Sequence, residues 1–259
     1  MVSRPDSGRG AGGSPALAER VCSLSRSLAR GVSRLRFGEP VRYVYNPLVY
    51  ARGPHEAYLR RYATSRKRVL LLGMNPGPFG MAQTGVPFGA IEPVREWLGI
   101  EEPVRPPPRE HPKRPVQGFA CHRNEVSGAR LWGAIARRFE TPERFFRRHF
   151  VANLVPLLFL EASGRNLTPD KLPEAEREAL LAVCTRHLRR LVELLEPEWV
   201  VGVGAFAAER AREALLGTGV GIARILHPSP ANPRAGSGWG RIALHELAEQ
   251  GVCPGGALQ

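Results

Sequence analysis

The stretch Val69-Leu70-Leu71-Leu72-Gly73-Met74-Asn75-Pro76-Gly77-Pro78-Phe79-Gly80-Met81 decides how the rest of the chain is interpreted. Its first five residues form a short apolar run, which gives way to a loop dense in Gly and Pro that continues to Gly89. Short apolar runs bounded by turn residues are typical of strands buried on both faces of a sheet. A loop of about 16 residues is longer than a turn requires, and its glycines let the backbone approach a ligand closely. We therefore predict a buried strand that leads directly into a functional loop.

The rest of the chain repeats this alternation of apolar runs and loops. Further strands are predicted at residues 150–154, 199–203 and 222–226. Helices are predicted at residues 16–37, 127–139, 173–195 and 206–215. This order predicts an α/β fold, a three-layer α/β/α sandwich with a central parallel sheet of about four strands. We expect one domain over residues 16–259, preceded by a disordered Gly/Ser-rich segment, residues 1–15.

The formal net charge of +13 is unevenly distributed along the 259 residues. Residues 1–68 hold 14 Lys and Arg against 4 Asp and Glu, whereas residues 151–259 hold 11 against 12. Residues 101–150 are also basic, with 11 against 6. A basic front half favours a polyanionic partner such as nucleic acid. Genome composition is the alternative explanation, because nearly all the cations are Arg.

Several classes of protein are disfavoured by the sequence. No run of about 18 apolar residues is present, so we expect no transmembrane helix, and the N-terminal residues lack the apolar core of a secretory signal. The cysteines stand alone rather than in CxxC pairs, which predicts free thiols and no metal site. Neither a P-loop nor a GxSxG motif occurs. We expect neither a metal nor a cofactor.

Two polar residues lie at the carboxyl ends of predicted strands, where ligands of parallel sheets bind. Asn153 offers one donor and one acceptor, which match the N3–H and O4 edge of uracil, although a strand-end Asn can also cap its own loop. His227 could donate to a developing anion, although a single His is often structural.

The motif Gly202-Val203-Gly204-Ala205-Phe206-Ala207 matches the dinucleotide-binding fingerprint GxGxx[GA]. The acidic residue that should follow about 20 positions later is missing, because residues 221–225 contain no carboxylate. A tight turn between strand and helix explains the glycines equally well. The sequence therefore leaves open an NAD(P)-dependent oxidoreductase and a catalytically silent DNA-binding module as alternative functions, of which the oxidoreductase is the main one.

The loop at residues 73–81 and the segment His227-Pro228-Ser229-Pro230 resemble the two signature loops of the uracil-DNA glycosylase superfamily. The Gly-Met-Asn-Pro-Gly form resembles its single-strand-selective monofunctional branch, and the likeness runs from about residue 36 to residue 251. The resemblance implies hydrolysis of uracil, 5-hydroxymethyluracil and 5-formyluracil from single- and double-stranded DNA, which leaves an abasic site. It implies DNA as the partner, with no membrane and no cofactor, and we expect a monomer in the nucleus.

The resemblance also assigns roles to individual residues. By position, Asn75 holds the attacking water and His227 stabilises the leaving group, so these two are the candidate catalytic residues. Phe88 stacks on the extruded base and Asn153 reads its edge. Met74 and Gly77 complete the predicted base site.

The second signature loop is predicted to contact DNA through seven residues, namely Pro228, Ser229, Pro230, Ala231, Asn232, Pro233 and Arg234. Here the sequence departs from the family, which usually has an Arg wedge at the position of Ala231. Arg234 is the remaining candidate for that wedge. Neither loop contains Lys, so Schiff-base lyase chemistry is not expected.

Overall fold

The computed structural model describes residues 14–236 and 238–252. Of the segment 1–15 that was predicted to be disordered, residues 1–13 lie outside the described residues, and Pro15 already begins the first helix. The helices are α1 (Pro15–Ser33), α2 (Pro47–Tyr50), α3 (Arg52–Tyr62), α4 (Met81–Thr84), α5 (Val126–Phe139), α6 (Pro142–Phe146), α7 (Glu174–Leu195), α8 (Ala205–Ala214) and α9 (Trp239–Glu249). The strands are β1 (Tyr43–Tyr45), β2 (Val69–Gly73), β3 (His149–Asn153), β4 (Leu158–Leu160), β5 (Asn166–Leu167), β6 (Trp199–Val203) and β7 (Gly221–Ile225).

The centre of the fold is a four-stranded parallel sheet in the order β3-β2-β6-β7. Strand β2 is buried along its whole length, as its continuous apolar run predicts. On one face α8 packs on β6 and β7, with α7 and α1 beyond it. On the other face α9 packs on β7 and α6 on β3, while α5 packs against both helices. The predicted α/β/α sandwich with four parallel strands is confirmed.

A second sheet was not predicted. Strands β1, β4 and β5 form an antiparallel sheet in the order β1-β4-β5, with Tyr43 opposite Leu160 and Phe159 opposite Leu167. Its strands have only three, three and two residues. Such short strands cannot show the alternation of apolar and polar residues by which a strand is normally identified.

Most boundaries of the predicted elements shift by only one residue. The clearest error is α1, which ends at Ser33 rather than at residue 37. Helices α3 and α9 were missed, because α3 is strongly polar and α9 follows a Gly-rich segment.

The described cysteines agree with the predicted free thiols. Cys22, Cys121 and Cys184 are buried and unbonded to one another, and burial raises the pKa of Cys184 to about 12. Cys253 lies outside the described residues. Within the described ranges, no helix has the length and apolar character needed to cross a membrane.

The first residue of β3 makes folding stability depend on pH. His149 is 2% exposed, its Nδ1–H donates to the Phe145 carbonyl oxygen over 3.0 Å, and its ring stacks on that of Phe145. Burial, with smaller contributions from nearby cations such as Lys67 and Arg68, lowers the pKa of His149 to about 4. The folded protein therefore holds this imidazole neutral.

We predict that acidification destabilises the fold through His149. The unfolded chain takes up the proton first, near pH 6.5, so the contribution is complete above that pH and is lost as the pH falls towards 4. It amounts to about 3 kcal/mol at most. Urea unfolding of wild type and His149→Phe between pH 7.5 and 4.5 measures it, because Phe keeps the stacked ring but cannot titrate. An equal pH dependence in both proteins would contradict the assignment.

Candidate active site

The carboxyl ends of β2, β3 and β7 bring three of the predicted site residues together. Gly73 ends β2 directly opposite Asn153, the last residue of β3. A Cβ atom on Gly73 would lie 2.3 Å from Asn153 Oδ1 and 2.6 Å from Phe88 Cε2. The Phe88 ring in turn has its centroid 6.1 Å from that of His227, which follows β7. Phe88, Asn153 and His227 therefore form one cluster at the edge that the sheet topology predicts.

Phe88 has an unusual backbone conformation. Its φ is +54°, a left-handed value that is strained for a bulky residue. The surrounding loop holds it there, because Thr84 Oγ1 donates to the Gly89 carbonyl and the Ala90 N–H donates to the Phe88 carbonyl. Strain of this kind clusters at functional sites, where the rest of the structure stabilises it.

Asn153 has an unsatisfied buried oxygen. Its Nδ2 donates to the Met81 sulfur over 3.3 Å, while its Oδ1 is buried without a hydrogen-bond partner in the described part of the chain. An unsatisfied buried acceptor costs about 1–3 kcal/mol. Because this oxygen lies beside Gly73 and the Phe88 ring, it is placed to accept a hydrogen bond from a planar ligand stacked on that ring.

Asn75 is half-buried, two residues beyond β2. Its Nδ2 donates to the Leu157 carbonyl over 3.3 Å and more weakly to the Pro76 carbonyl at 3.4 Å. These bonds fix the amide while using only its N–H groups. No residue within 14–236 or 238–252 donates to its Oδ1, which can therefore accept a hydrogen bond from a water molecule.

Met74 and Gly77 lie in the same loop, on either side of Asn75. The Met74 carbonyl accepts a hydrogen bond from the Val155 N–H over 2.9 Å, which extends the pairing of β2 and β3 into the loop. The Gly77 carbonyl accepts from the N–H groups of Gly80 and Ala82. Both residues shape the loop through their backbone.

His227 is held as a neutral imidazole with a defined tautomer. The Ser229 N–H donates to its Nδ1 over 3.1 Å, and burial lowers the pKa of the ring. Because Nδ1 is the acceptor, the proton of the neutral ring is on Nε2, which is free to donate to a ligand.

The glycines of the dinucleotide-like motif have structural roles here. Gly204 has φ +97°, and a Cβ atom on it would lie 3.3 Å from His227 Cβ. A Cβ atom on Gly202 would lie 2.3 Å from the Ala208 nitrogen, so this glycine permits close packing of α8 on β6. The alternative of a tight strand–helix turn explains both glycines.

The second signature loop forms two consecutive turns. The Asn232 N–H donates to the Ser229 carbonyl and the Ala235 N–H donates to the Asn232 carbonyl. The Arg234 N–H bonds to the Asn232 side chain. Ala235 is buried, whereas the tip of the loop is exposed, namely Pro230, Ala231, Pro233 and Arg234.

The first turn of α5 is a part of the site for which no role was predicted. The Glu125 carboxylate caps this helix by accepting from the N–H groups of Ser127 and Gly128, and burial, opposed by these bonds, raises its pKa. A Cβ atom on Gly128 would lie 1.9 Å from the Phe88 carbonyl oxygen, so helix and loop are in direct backbone contact. A capping carboxylate before an apolar helix could have been read from the sequence, but its contact with Phe88 could not.

The same helix also holds the second signature loop. Arg130 Nη1 donates to the Pro228 carbonyl oxygen over 2.9 Å. Helix α5 therefore connects the loop of Phe88 with the loop of His227.

A second link reaches the Phe88 loop from the opposite face of the sheet. Buried His55 of α3 bonds through Nδ1 to the Gly85 carbonyl and through Nε2 to Ser25 of α1. Burial lowers the pKa of His55, and a neutral ring suits both bonds. Among the described residues, no group of three or more side chains is arranged to hold a metal ion.

Comparison with known proteins points in the same direction as the geometry. The family model of the uracil DNA glycosylase superfamily matches residues 60–244. The chain is 52% identical over 240 residues to the single-strand selective monofunctional uracil DNA glycosylases of Bos taurus and Mus musculus. The match covers 92% of this chain, 88% of the bovine protein and 86% of the mouse protein.

The fold is also similar to that in the crystal structure of wild-type Pedobacter heparinus SMUG2. The TM-score is 0.62 at 20% sequence identity, over 82% of this chain and 87% of that one. At this identity the likeness supports the fold.

We predict that Arg130 immobilises the His227 loop. In Arg130→Met the Pro228 carbonyl loses its partner, so the amides of residues 229–236 should exchange with solvent at least several-fold faster. Hydrogen-exchange mass spectrometry measures this, with Arg137→Met on the same helix as the matched control. Unchanged exchange in the Arg130 variant would mean that the loop is held by its own turns.

Proposed function

The chain belongs to the uracil-DNA glycosylase superfamily, in its single-strand-selective monofunctional branch, and we propose that it hydrolyses the N-glycosidic bond of uracil in DNA as a base-excision repair enzyme. We include 5-hydroxymethyluracil and 5-formyluracil as substrates, in single- and double-stranded DNA. The product is an abasic site.

The observation that carries this proposal is the unpartnered oxygen of Asn153 beside the Phe88 ring. A flipped uracil stacked on Phe88 presents N3–H to Asn153 Oδ1 and O4 to Asn153 Nδ2. Cytosine presents the opposite pattern of donor and acceptor. When the wrong base leaves buried polar groups of the site unpaired, the enzyme can discriminate against that base by a factor of about 10⁴ or more in kcat/KM. Stacking on the ring is worth about 1–3 kcal/mol, which helps to offset extrusion of the base.

His227 stabilises the departing base. As the bond between C1′ and N1 breaks, its electron pair moves onto the uracil ring, and Nε2–H donates to the negative charge that builds on O2. A preorganised donor of this kind contributes about 10²–10³ in rate. The low pKa of His227 keeps the ring neutral at physiological pH, and protonation of Nδ1 would break the bond from the Ser229 N–H.

Asn75 positions the water that completes the reaction. Its Oδ1 accepts one water O–H, which aims the water oxygen at C1′, and the proton released after attack leaves to solvent. An amide is too weak a base to activate water, but a nearly cationic sugar needs only a water in the correct place. The departing uracil anion takes up one proton from solvent, so the products are free uracil and a hydroxyl group on C1′.

The two 5-substituted uracils keep the O2, N3–H and O4 edge that Asn153 and His227 contact, which supports their inclusion. Thymine keeps this edge as well, and its methyl group is smaller than a hydroxymethyl group. Its rejection must therefore come from polar contacts around C5 and not from steric exclusion.

The position of Lys67 argues against a lyase step. A Schiff base requires a neutral amine, and burial lowers the pKa of Lys67 to about 8. However, Lys67 precedes β2 at the amino edge of the sheet, where its Nζ donates to the Phe146 carbonyl, remote from both loops. Neither loop contains another Lys. We therefore propose that the enzyme is monofunctional.

We further propose that the protein is a monomer acting on nuclear DNA. The basic triplet Arg66-Lys67-Arg68 does not provide an import signal, because the Lys67 side chain is buried.

The decisive experiment is base release from oligonucleotides that carry each lesion, in single- and double-stranded form. Alkali should cleave the product strand, whereas without alkali the strand should stay intact. Binding without base release would instead indicate a silent DNA-binding module. A thermal shift with NAD(P)H but not with uracil-containing DNA would favour the oxidoreductase alternative.

Asn75→Ala should abolish most base excision and leave binding of lesion DNA nearly unchanged. The reason is that Asn75 contacts water, so its loss reduces kcat rather than affinity. Single-turnover excision and oligonucleotide binding, measured on the same protein, separate the two. Near-normal excision would remove Asn75 from the mechanism.

Asn153→Asp should lower uracil excision sharply, because the carboxylate loses the donor to O4. A protonated Asp could serve cytosine, so a trace of cytosine release is the accompanying result. Single-turnover assays on matched uracil and cytosine oligonucleotides measure both. Unchanged uracil excision would contradict the base-reading role.

Arg234→Ala should lower excision from duplex DNA more than from single strands, because only the duplex gap needs filling after a base is flipped out. Ala231→Arg should raise duplex activity. Matched single- and double-stranded substrates measure the ratio, with exposed Arg212→Ala on α8 as control. Equal losses on both substrates would mean that Arg234 is a phosphate contact or a bystander.

A further inference from the structure

The segment between residues 101 and 125 is not used by the mechanism, yet three of its four arginines contact aromatic rings. Such contacts also occur elsewhere, where the charge is neutralised. Arg210 lies 5.9 Å from the Phe206 ring centroid and pairs with Glu213 at 2.6 Å. The guanidinium group of Arg210 therefore has a carboxylate partner within the protein.

Three other arginines contact rings without such a carboxylate. Arg109 lies 4.6 Å from the centroid of the Tyr43 ring. Arg123 and Arg114 lie 4.4 Å and 5.5 Å from the centroid of the Phe79 ring. In the part of the chain that the structure describes, none of the three forms an ion pair. We name these five residues the arginine–aromatic strip.

The two halves of the strip are joined by one rigid turn. The Tyr45 hydroxyl accepts from the His111 N–H over 2.6 Å and donates to the Arg114 carbonyl over 2.8 Å. The His111 ring packs edge-on against Tyr43, 4.9 Å between centroids. The turn therefore places Arg114 and the Tyr43 half of the strip in a fixed relation.

The strip is continuous with the candidate active site. Phe79 is four residues beyond Asn75 in the same loop. The buried side chain of Gln83 donates to the carbonyls of Pro78 and Pro115 and accepts from the Gln117 N–H. The segment that carries the arginines is thus fixed to the loop that carries Asn75.

We propose that the arginine–aromatic strip binds the unpaired DNA strand next to the flipped nucleotide. Its rings and guanidinium planes stack on bases, and the N–H groups of the exposed Arg109 and Arg123 donate to the phosphates between them, whereas Arg114 already donates to the Lys113 carbonyl. Half-exposed rings beside uncompensated cations are the combination that binds single strands without regard to sequence. In a duplex the base faces are stacked on one another, so the strip favours single-stranded DNA. This inference rests on the proposed function.

The test measures binding to oligonucleotides that carry 2′-fluoro-2′-deoxyuridine, whose glycosidic bond resists hydrolysis. Phe79→Ala should raise the Kd for the single strand about fivefold or more, and that for the matched duplex much less. The double variant Arg109→Gln, Arg123→Gln should bind single strands with a weaker dependence on salt. The slope of log K against log salt concentration should decrease in magnitude by about 0.7 for each phosphate contact that is lost. Both Arg side chains are exposed, so this double variant tests the strip even if Phe79→Ala does not fold.

Phe206→Ala and Arg210→Gln are the matched controls, because they remove the same kind of contact from the neutral half of the chain. They should leave both affinities unchanged. Single-strand affinity at the wild-type level in folded strip variants overturns the inference, as do equal losses on single strand and duplex. Uracil release by the wild-type protein is measured in parallel, so failure of the proposed function is distinguished from failure of the strip.

Discussion

The last residue of β2 has no room for a side chain, and the base site is built around that restriction. A Cβ atom on Gly73 would lie 2.3 Å from the Asn153 oxygen and 2.6 Å from the Phe88 ring. Only glycine lets the Asn153 amide and the Phe88 ring, to which we assign the reading and stacking of the base, approach the same strand end. The strained φ of Phe88 and the backbone contact of α5 with the Phe88 carbonyl follow from this approach. The Phe88 loop must turn back towards the sheet, and α5 packs against it in that position.

The mechanism that we propose relies on neutral polar groups. Asn75, Asn153 and a neutral His227 supply acceptors and donors, while the half-buried carboxylate nearby, Glu125, caps α5. Without a strong base to activate water, the rate must come from stabilising the departing uracil and from placing the water. This explains why the tautomer of His227 is fixed by the Ser229 N–H, since only Nε2–H can serve the leaving group.

The parallel sheet and its ligand edge could be predicted from the sequence, because continuous apolar runs such as residues 69–73 show buried strands locally. Asn153 and His227 could be singled out from their positions at strand ends, whereas the roles of Asn75 and Phe88 came from resemblance to a family. The structure brings Phe88, Asn153 and His227 into one cluster. The links that hold the loops were not visible. Arg130 reaches the Pro228 carbonyl across 98 residues, and His55 joins Ser25 to Gly85 across 30 residues on each side. Such contacts leave no periodic pattern, and the strands of the second sheet are too short to show one.

The second signature loop and the arginine–aromatic strip, the two features that we propose to contact DNA, meet different energetic demands. Extrusion of a base from a duplex costs a few kcal/mol in lost pairing and stacking, whereas a single strand requires much less. At position 231 the small side chain of Ala cannot fill the gap that a flipped base leaves in a duplex. The chain nevertheless has arginines without an ion-pair partner beside Tyr43 and Phe79. Affinity for an unpaired strand does not depend on a wedge, because no gap needs to be filled. In the roles that we propose for them, Ala231 at the loop tip and the arginine–aromatic strip therefore both favour single-stranded DNA.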